Sequence, residues 1–238
     1  MIMLTAVIFM LYLTVYTNCK QEKTTCLNDS LIKQIERLLE ELKSTTGHPV
    51  EGISGVVGAK YTRWGRTTCN ENTKLVYEGF AAGNHYSEGG SGANLLCLPK
   101  DPEWKDYSDK VEVWRGRLYG IEYEIYPDIP PLSGFGDKDM PCAVCLTDRR
   151  STVLMIPGKV TCHNGWHKEY SGYLMSQSGT NGRPSSEYIC ADEKLESVPG
   201  GDANLNQGVV YFVEAVCGQL KCPPYVNGRE LTCVVCSI

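Results

Sequence analysis

Residues 140–150 read MPCAVCLTDRR, and residues 231–238 read LTCVVCSI. The same Cys-x-x-Cys phrase stands once at mid-chain and once at the end. It has three chemical readings: a redox pair, half of a zinc site, or two disulfide anchors. A redox pair needs one reactive thiol at a helix start, but Val144, Val234 and Val235 are β-branched and suit a strand. A zinc site joins pairs roughly 15–20 residues apart, whereas Cys145 and Cys233 lie 88 positions apart. In a strand, residues i and i+3 point to opposite faces. The two sulfurs of each pair are therefore expected to serve as anchors for different disulfide partners.

Working outward, the other cysteines repeat with the pair. Cys69 to Cys97 and Cys162 to Cys190 are both 28 positions. Cys97 to Cys142 is 45 and Cys190 to Cys233 is 43. The agreement extends to other residues: Tyr77 and Tyr170 lie eight positions after Cys69 and Cys162, and Gly79 and Gly172 lie ten after them. The chain is a tandem repeat with copies of about 90 residues, spanning 61–147 and 148–238.

The cysteine count agrees with the compartment expected from the N-terminus. Residues 4–17, LTAVIFMLYLTVYT, are apolar and uncharged, shorter than the roughly 20 residues a membrane span needs. This predicts a secretory signal over 1–19, cleaved near Thr17 to Lys20, and a secreted, extracellular product with no membrane insertion after cleavage. Twelve cysteines in such a chain read as disulfides. With Cys19 removed, ten lie between Cys69 and Cys236, and Cys26 is left over as an interchain disulfide candidate. A net charge of −5 argues against a nucleic-acid partner. After residue 45 the sequence favours Gly, Tyr, Thr, Val and Ser, so the expected fold is mostly β.

Several stretches carry a family resemblance: YTRWGRTTC, GANLLCLPKDPEW, PCAVC, STVLMIPGKVTC, KEYSGYLMS and YVNGRELTCVVC. They are similar to the sponge-type short-chain collagens, and more distantly to the C-terminal non-collagenous domain of type IV collagen. The resemblance covers about 61–238 and implies two small disulfide-bonded β subdomains that pack together, in chains that form trimers. It also implies a pairing of Cys69 with Cys145, Cys97 with Cys142, Cys162 with Cys236, and Cys190 with Cys233. Cys217 and Cys222 would make a local bridge in the second copy, where the sequence departs from type IV collagen.

Ahead of the repeats, residues 20–45 predict a short coiled-coil helix for oligomerisation. Leu31, Ile35, Leu38 and Leu42 follow the a/d spacing, and Asn28, Asp29 or Ser30 can cap the start. Asn28 also opens an N-glycosylation sequon. Residues 46–60 form a Gly-rich linker in which Gly52, Gly55 and Gly58 make three vestigial Gly-X-Y triplets, too few for a collagen helix. Expected strands in the first copy are 74–81, 93–98, 111–126 with a break near Gly116–Gly120, and 143–147. In the second they are 151–156, 169–177, 187–191, 209–216 and 231–237.

No catalytic motif appears: HExxH, G-x-S-x-G and a phosphate loop are all missing. His163 and His167 flank Trp166 but read as surface residues, and Asp137 with Asp139 are too few acids for a calcium shell. No cofactor, metal or enzymatic activity is expected. Two function classes remain. One is an extracellular-matrix-type structural or assembly protein, a homo-oligomer that meets matrix proteins. The other is a multivalent recognition protein, a lectin or innate immune effector, whose partners are glycans. Trp64, Trp104, Trp114 and Trp166 could stack on sugars, although a core position is the commoner fate of tryptophan.

Overall fold

The structure is a computed structural model that describes residues 58–126, 129–130, 132–180 and 182–238. The signal segment, the 20–45 helix, Cys26, Asn28 and most of the Gly-rich linker lie outside the described residues. Residues 56–238 form one compact unit, and among the described residues the regular elements are all strands.

The first copy supplies β1 (Lys60–Trp64), β2 (Thr73–Gly83), β3 (Leu96–Pro99), β4 (Tyr119–Glu124), β5 (Lys138–Asp139) and β6 (Pro141–Thr147). The second supplies β7 (Val153–Pro157), β8 (His167–Ser176), β9 (Ile189–Asp192), β10 (Gly208–Phe212) and β11 (Thr232–Ser237). Pairings repeat strand for strand. In the first copy β6 lies between β1 and β2, and β2 also pairs β3 and β4. In the second, β11 lies between β7 and β8, and β8 also pairs β9 and β10. Even the irregularity is duplicated: β2 bulges past Val76 and β8 past Glu169, the same position of the repeat.

The residues that announced the repeat have physical reasons. Gly79 faces the backbone of β3, where an added Cβ would lie 1.7 Å from the Leu98 carbonyl oxygen. Gly172 faces β9 in the same way, 1.8 Å from the Ala191 carbonyl oxygen. Only glycine permits this close approach. The Tyr77 hydroxyl donates to the Cys97 carbonyl at 3.0 Å, and the Tyr170 hydroxyl donates to the Cys190 carbonyl at 2.9 Å. Each tyrosine thus ties its strand to the same neighbour that the glycine lets in.

Five disulfides join Cys69–Cys145, Cys97–Cys142, Cys162–Cys236, Cys190–Cys233 and Cys217–Cys222. The first four are the pairs the resemblance implies, and the fifth is the local bridge at the place where the sequence departs from type IV collagen. The i, i+3 spacing sends Cys142 into one apolar cluster and Cys145 into another. Each Cys-x-x-Cys strand is consequently pinned on both faces.

The copies do not stand apart. β1 pairs the second copy's β9 at Trp64 and Ala191, and β10 pairs the first copy's β4 over Gly208–Tyr211. Both junctions are parallel, whereas every pairing of named strands within a copy is antiparallel. Because β10 bonds to both β4 and β8, the path β8-β9-β1-β6-β2-β4-β10 closes on itself. The larger apolar cluster fills this junction with Trp64, Ala81, Ile121, Tyr123 and Met140 from one copy and Met175, Ile189, Ala191, Leu195 and Val210 from the other. Burying each large side chain contributes about 1.5–3 kcal/mol.

Two expectations are corrected. The strand expected from residue 111 begins only at Tyr119. Val111 and Val113 favour extended backbone, but among the described residues no strand lies alongside to take their hydrogen bonds. β1 was not among the expected strands, because its four-residue YTRW pattern gives no sign of its distant partners.

Candidate functional site at the repeat junction

The connection from β9 to β10, residues 193–207, reaches out of the second copy and lies across the first. Glu196 accepts from the Thr67 backbone N–H at 2.8 Å and hydroxyl at 2.7 Å, and pairs with Arg66 at 3.1 Å. The Tyr123 hydroxyl donates to the Glu196 carbonyl at 2.9 Å. The Asp139 N–H donates to the Gly201 carbonyl at 2.7 Å, and Val198 N–H returns to the Asp139 carbonyl at 3.0 Å. Farther along, the Leu205 and Asn206 N–H groups both donate to Oε1 of Glu122, at 2.8 and 3.0 Å. The segment ends by becoming β10 against β4.

Buried charges fix the other side of the junction. Asp192 at the end of β9 accepts two hydrogen bonds from Arg63 of β1, each 2.7 Å, and one from the Lys194 N–H at 2.8 Å. Glu169 takes the Tyr61 hydroxyl and the Arg150 guanidinium, each at 3.1 Å, and the Ser237 hydroxyl. Burial, reinforced by Glu169, pushes the Tyr61 phenol up to about 12. Burial also raises Tyr123 and Tyr170. These phenols therefore stay neutral hydrogen-bond donors at physiological pH. A cleft of about 270 Å³ opens beside them, lined by Arg63, Asn70, Lys168, Tyr170, Asp192 and Lys194.

The matching connection of the first copy, residues 100–118, has a different fate. Gly116 and Tyr119 lead into β4 as Gly208 and Tyr211 form β10, so Val113 and Trp114 occupy the positions of Leu205 and Asn206. Trp114 is 94% exposed, Val111 85% and Trp104 76%, with Tyr107 and Val113 also exposed. The matching acceptor is equally bare. Glu214 pairs with Glu230 as Glu122 pairs with Asp139, yet Glu214 is exposed. Val216 beside it is exposed too, with Tyr225 and Val226 nearby in sequence.

The remaining candidate residues are scattered. His163 and His167 are exposed at the turn and start of β8, and His85 bonds to Ser87 and stacks near Tyr86 and Tyr119. Trp64 is core while Trp104 and Trp114 are surface. Asp137 and Asp139 stand beside β4, where Glu122 and Glu124 had not been singled out as candidates. Among the described residues, no three His, Cys, Asp or Glu side chains gather as a metal site, and no helix is long and apolar enough to cross a membrane. No protein-family model matches the chain.

Proposed function

We propose that this is a secreted assembly protein of the extracellular-matrix type, in which disulfide-braced repeats join head to tail into a homo-oligomer. One observation carries the reading. The second copy's connection is docked on the first copy, while the first copy's equivalent connection and the second copy's equivalent acceptor are both bare. A contact of this kind uses two different surfaces, so repeating it between chains yields a ring or a filament. Residues 100–118 of one chain would lie across 213–216 of the next, with the Val113 and Trp114 N–H groups reaching Glu214. The same step brings the exposed edge of β7 to the exposed edge of β3, as β1 meets β9 within the chain. The short-chain-collagen resemblance favours closure at three chains, with the 20–45 helix and Cys26 holding them together. Five disulfides suit an oxidising, extracellular setting.

Light scattering of the oxidised chain, with hydrogen exchange at 213–216, tests this. A multi-chain mass with slowed exchange is expected, and Trp114→Glu should restore fast exchange there without lowering Tm. A monomeric wild type, or the same exchange in both proteins, refutes it.

A second reading has one observation in its favour: Trp104 and Trp114 are solvent-facing, as sugar-stacking residues in a multivalent lectin would be. Glycan-array binding lost in Trp114→Ala, with oligomer mass unchanged, would support it over assembly.

A further inference from the structure

Glu122 and Glu124 occupy one face of β4, opposite the core-facing Ile121, Tyr123 and Ile125. An exposed strand face would leave them in water, but they are only 3% and 6% exposed, with the second copy's connection bonded to Glu122 and β10 paired at Glu124. Glu122 uses Oε1 for two backbone N–H groups, and its Oε2 is buried without a partner. Among the described residues Glu124 has no side-chain hydrogen-bond or ion-pair partner, and its Oε1 is likewise buried without one. More negative charge surrounds them. Asp139 is the register partner of Glu122, and the Asp137 N–H bonds to the Tyr123 carbonyl. Asp202 approaches Asp139 from the connection. Among the described residues the cation that acts on Glu124 is Arg183, which is engaged with the Tyr211 hydroxyl at 2.8 Å and stacked over Tyr86 and Tyr211.

Two buried carboxylate oxygens without protein donors, in a field of further carboxylates, call for a cation, a proton or a water as partner. We propose that Glu122 and Glu124 bind a hard divalent cation of the calcium class, which clamps β4 to the 193–207 connection. The donors are all oxygen, the set such cations take. Since no three acidic side chains converge among the described residues, the two glutamates alone fall short of an oxygen shell, and backbone carbonyls and water are required at the remaining positions. The second copy keeps Glu214 and Glu230 at the matching places but has Val216 in place of Glu124. The site therefore belongs to the first copy alone, and it lies within one chain, independent of oligomerisation. Glu124 and Asp139 both have raised carboxyl affinities for protons, chiefly through burial. A proton is thus the rival occupant.

Thermal unfolding of the full oxidised chain, stripped with chelator and titrated with CaCl2 or MgCl2 near neutral pH, decides between them. At a cation concentration a hundredfold above Kd, Tm should rise by about 5–10 °C. Glu124→Gln should abolish that rise and melt above wild type in chelator, because an unpaired buried charge is gone. Glu214→Gln should keep the rise. An unchanged Tm with either cation, or an equal rise in Glu124→Gln, overturns the proposal. So does stabilisation by mild acid alone without any cation response, which would assign the site to a proton.

Discussion

Gly79 and Gly172 are the same residue of the repeat, but they face different neighbours, so one substitution made at both sites separates local geometry from sheet context. Alanine at either puts Cβ within 1.7–1.8 Å of a carbonyl oxygen, where ordinary contact begins at 3.4 Å. At Gly172 the obstructed strand is β9, held between β8 and β1. It also carries Cys190 and the Asp192 partner of Arg63. Moving it by about 1.5 Å breaks three or four ladder bonds worth about 1 kcal/mol each and strains a packed core by about 1–3 kcal/mol. Gly172→Ala should therefore cost about 4–7 kcal/mol and lower Tm by about 8–28 °C. At Gly79 the obstructed strand is β3, which is also bridged, through Cys97 to Cys142, but among the described residues pairs only β2 and has Leu96 and Leu98 facing solvent. It can shift outward, so Gly79→Ala should cost only about 1–3 kcal/mol. Urea unfolding of both oxidised variants measures the difference. Equal costs, or a larger cost at Gly79, would refute the placement of β9 as an interior strand.

Other outcomes follow from the junction and the disulfides. Arg63→Ala leaves Asp192 buried with only a backbone N–H, and should cost about 3–5 kcal/mol; the double variant Arg63→Met with Asp192→Leu should recover most of it. If the single and double variants unfold alike in urea, the pair is not desolvated. Replacing Cys97 and Cys142 by alanine opens a 45-residue separation and should cost about 4 kcal/mol, against about 2 kcal/mol for the 5-residue Cys217–Cys222 bridge. Denaturant midpoints in the reverse order would contradict the pairing. The raised phenols of Tyr61, Tyr123 and Tyr170 contribute stability that is complete below about pH 10, their unfolded value. That contribution is lost as pH rises through the folded values, near 12 for Tyr61. Tyr61→Phe should flatten the fall in urea midpoint between pH 10 and 12, and an unchanged slope would remove Tyr61 from the account.

The repeat was legible because its marks are local and chemically exacting. Gly79, Gly172 and the two tyrosines stand at fixed distances from cysteines, since each must meet a neighbouring strand at one point. The mostly β character was equally plain from composition. What covers a strand was not legible. The alternation in YGIEYEI around β4 suggests one apolar face and one wet face, yet Glu122 and Glu124 are both buried, Glu122 beneath a segment more than 80 residues away. Periodicity reports which residues share a face, and nothing about a distant loop laid over it. The same blindness hid β1, whose partners are β6 and β9. It also suggested a strand at Val111 and Val113, where side-chain preference had no partner to act on. Trp64 and Trp114 are the same residue type in core and in water, and only tertiary structure tells them apart.

Interchain contact between the 100–118 connection and the second copy is best read from mixed-isotope cross-linking. Chains labelled with 14N and 15N would be co-assembled and treated with a zero-length carboxyl–amine reagent, then mapped by mass spectrometry. Head-to-tail docking predicts mixed-isotope links from Lys105 or Lys110 of one chain to Glu214 or Glu230 of another. Links from the 100–118 connection confined to single-isotope peptides, in a sample whose mass is multi-chain, would contradict it.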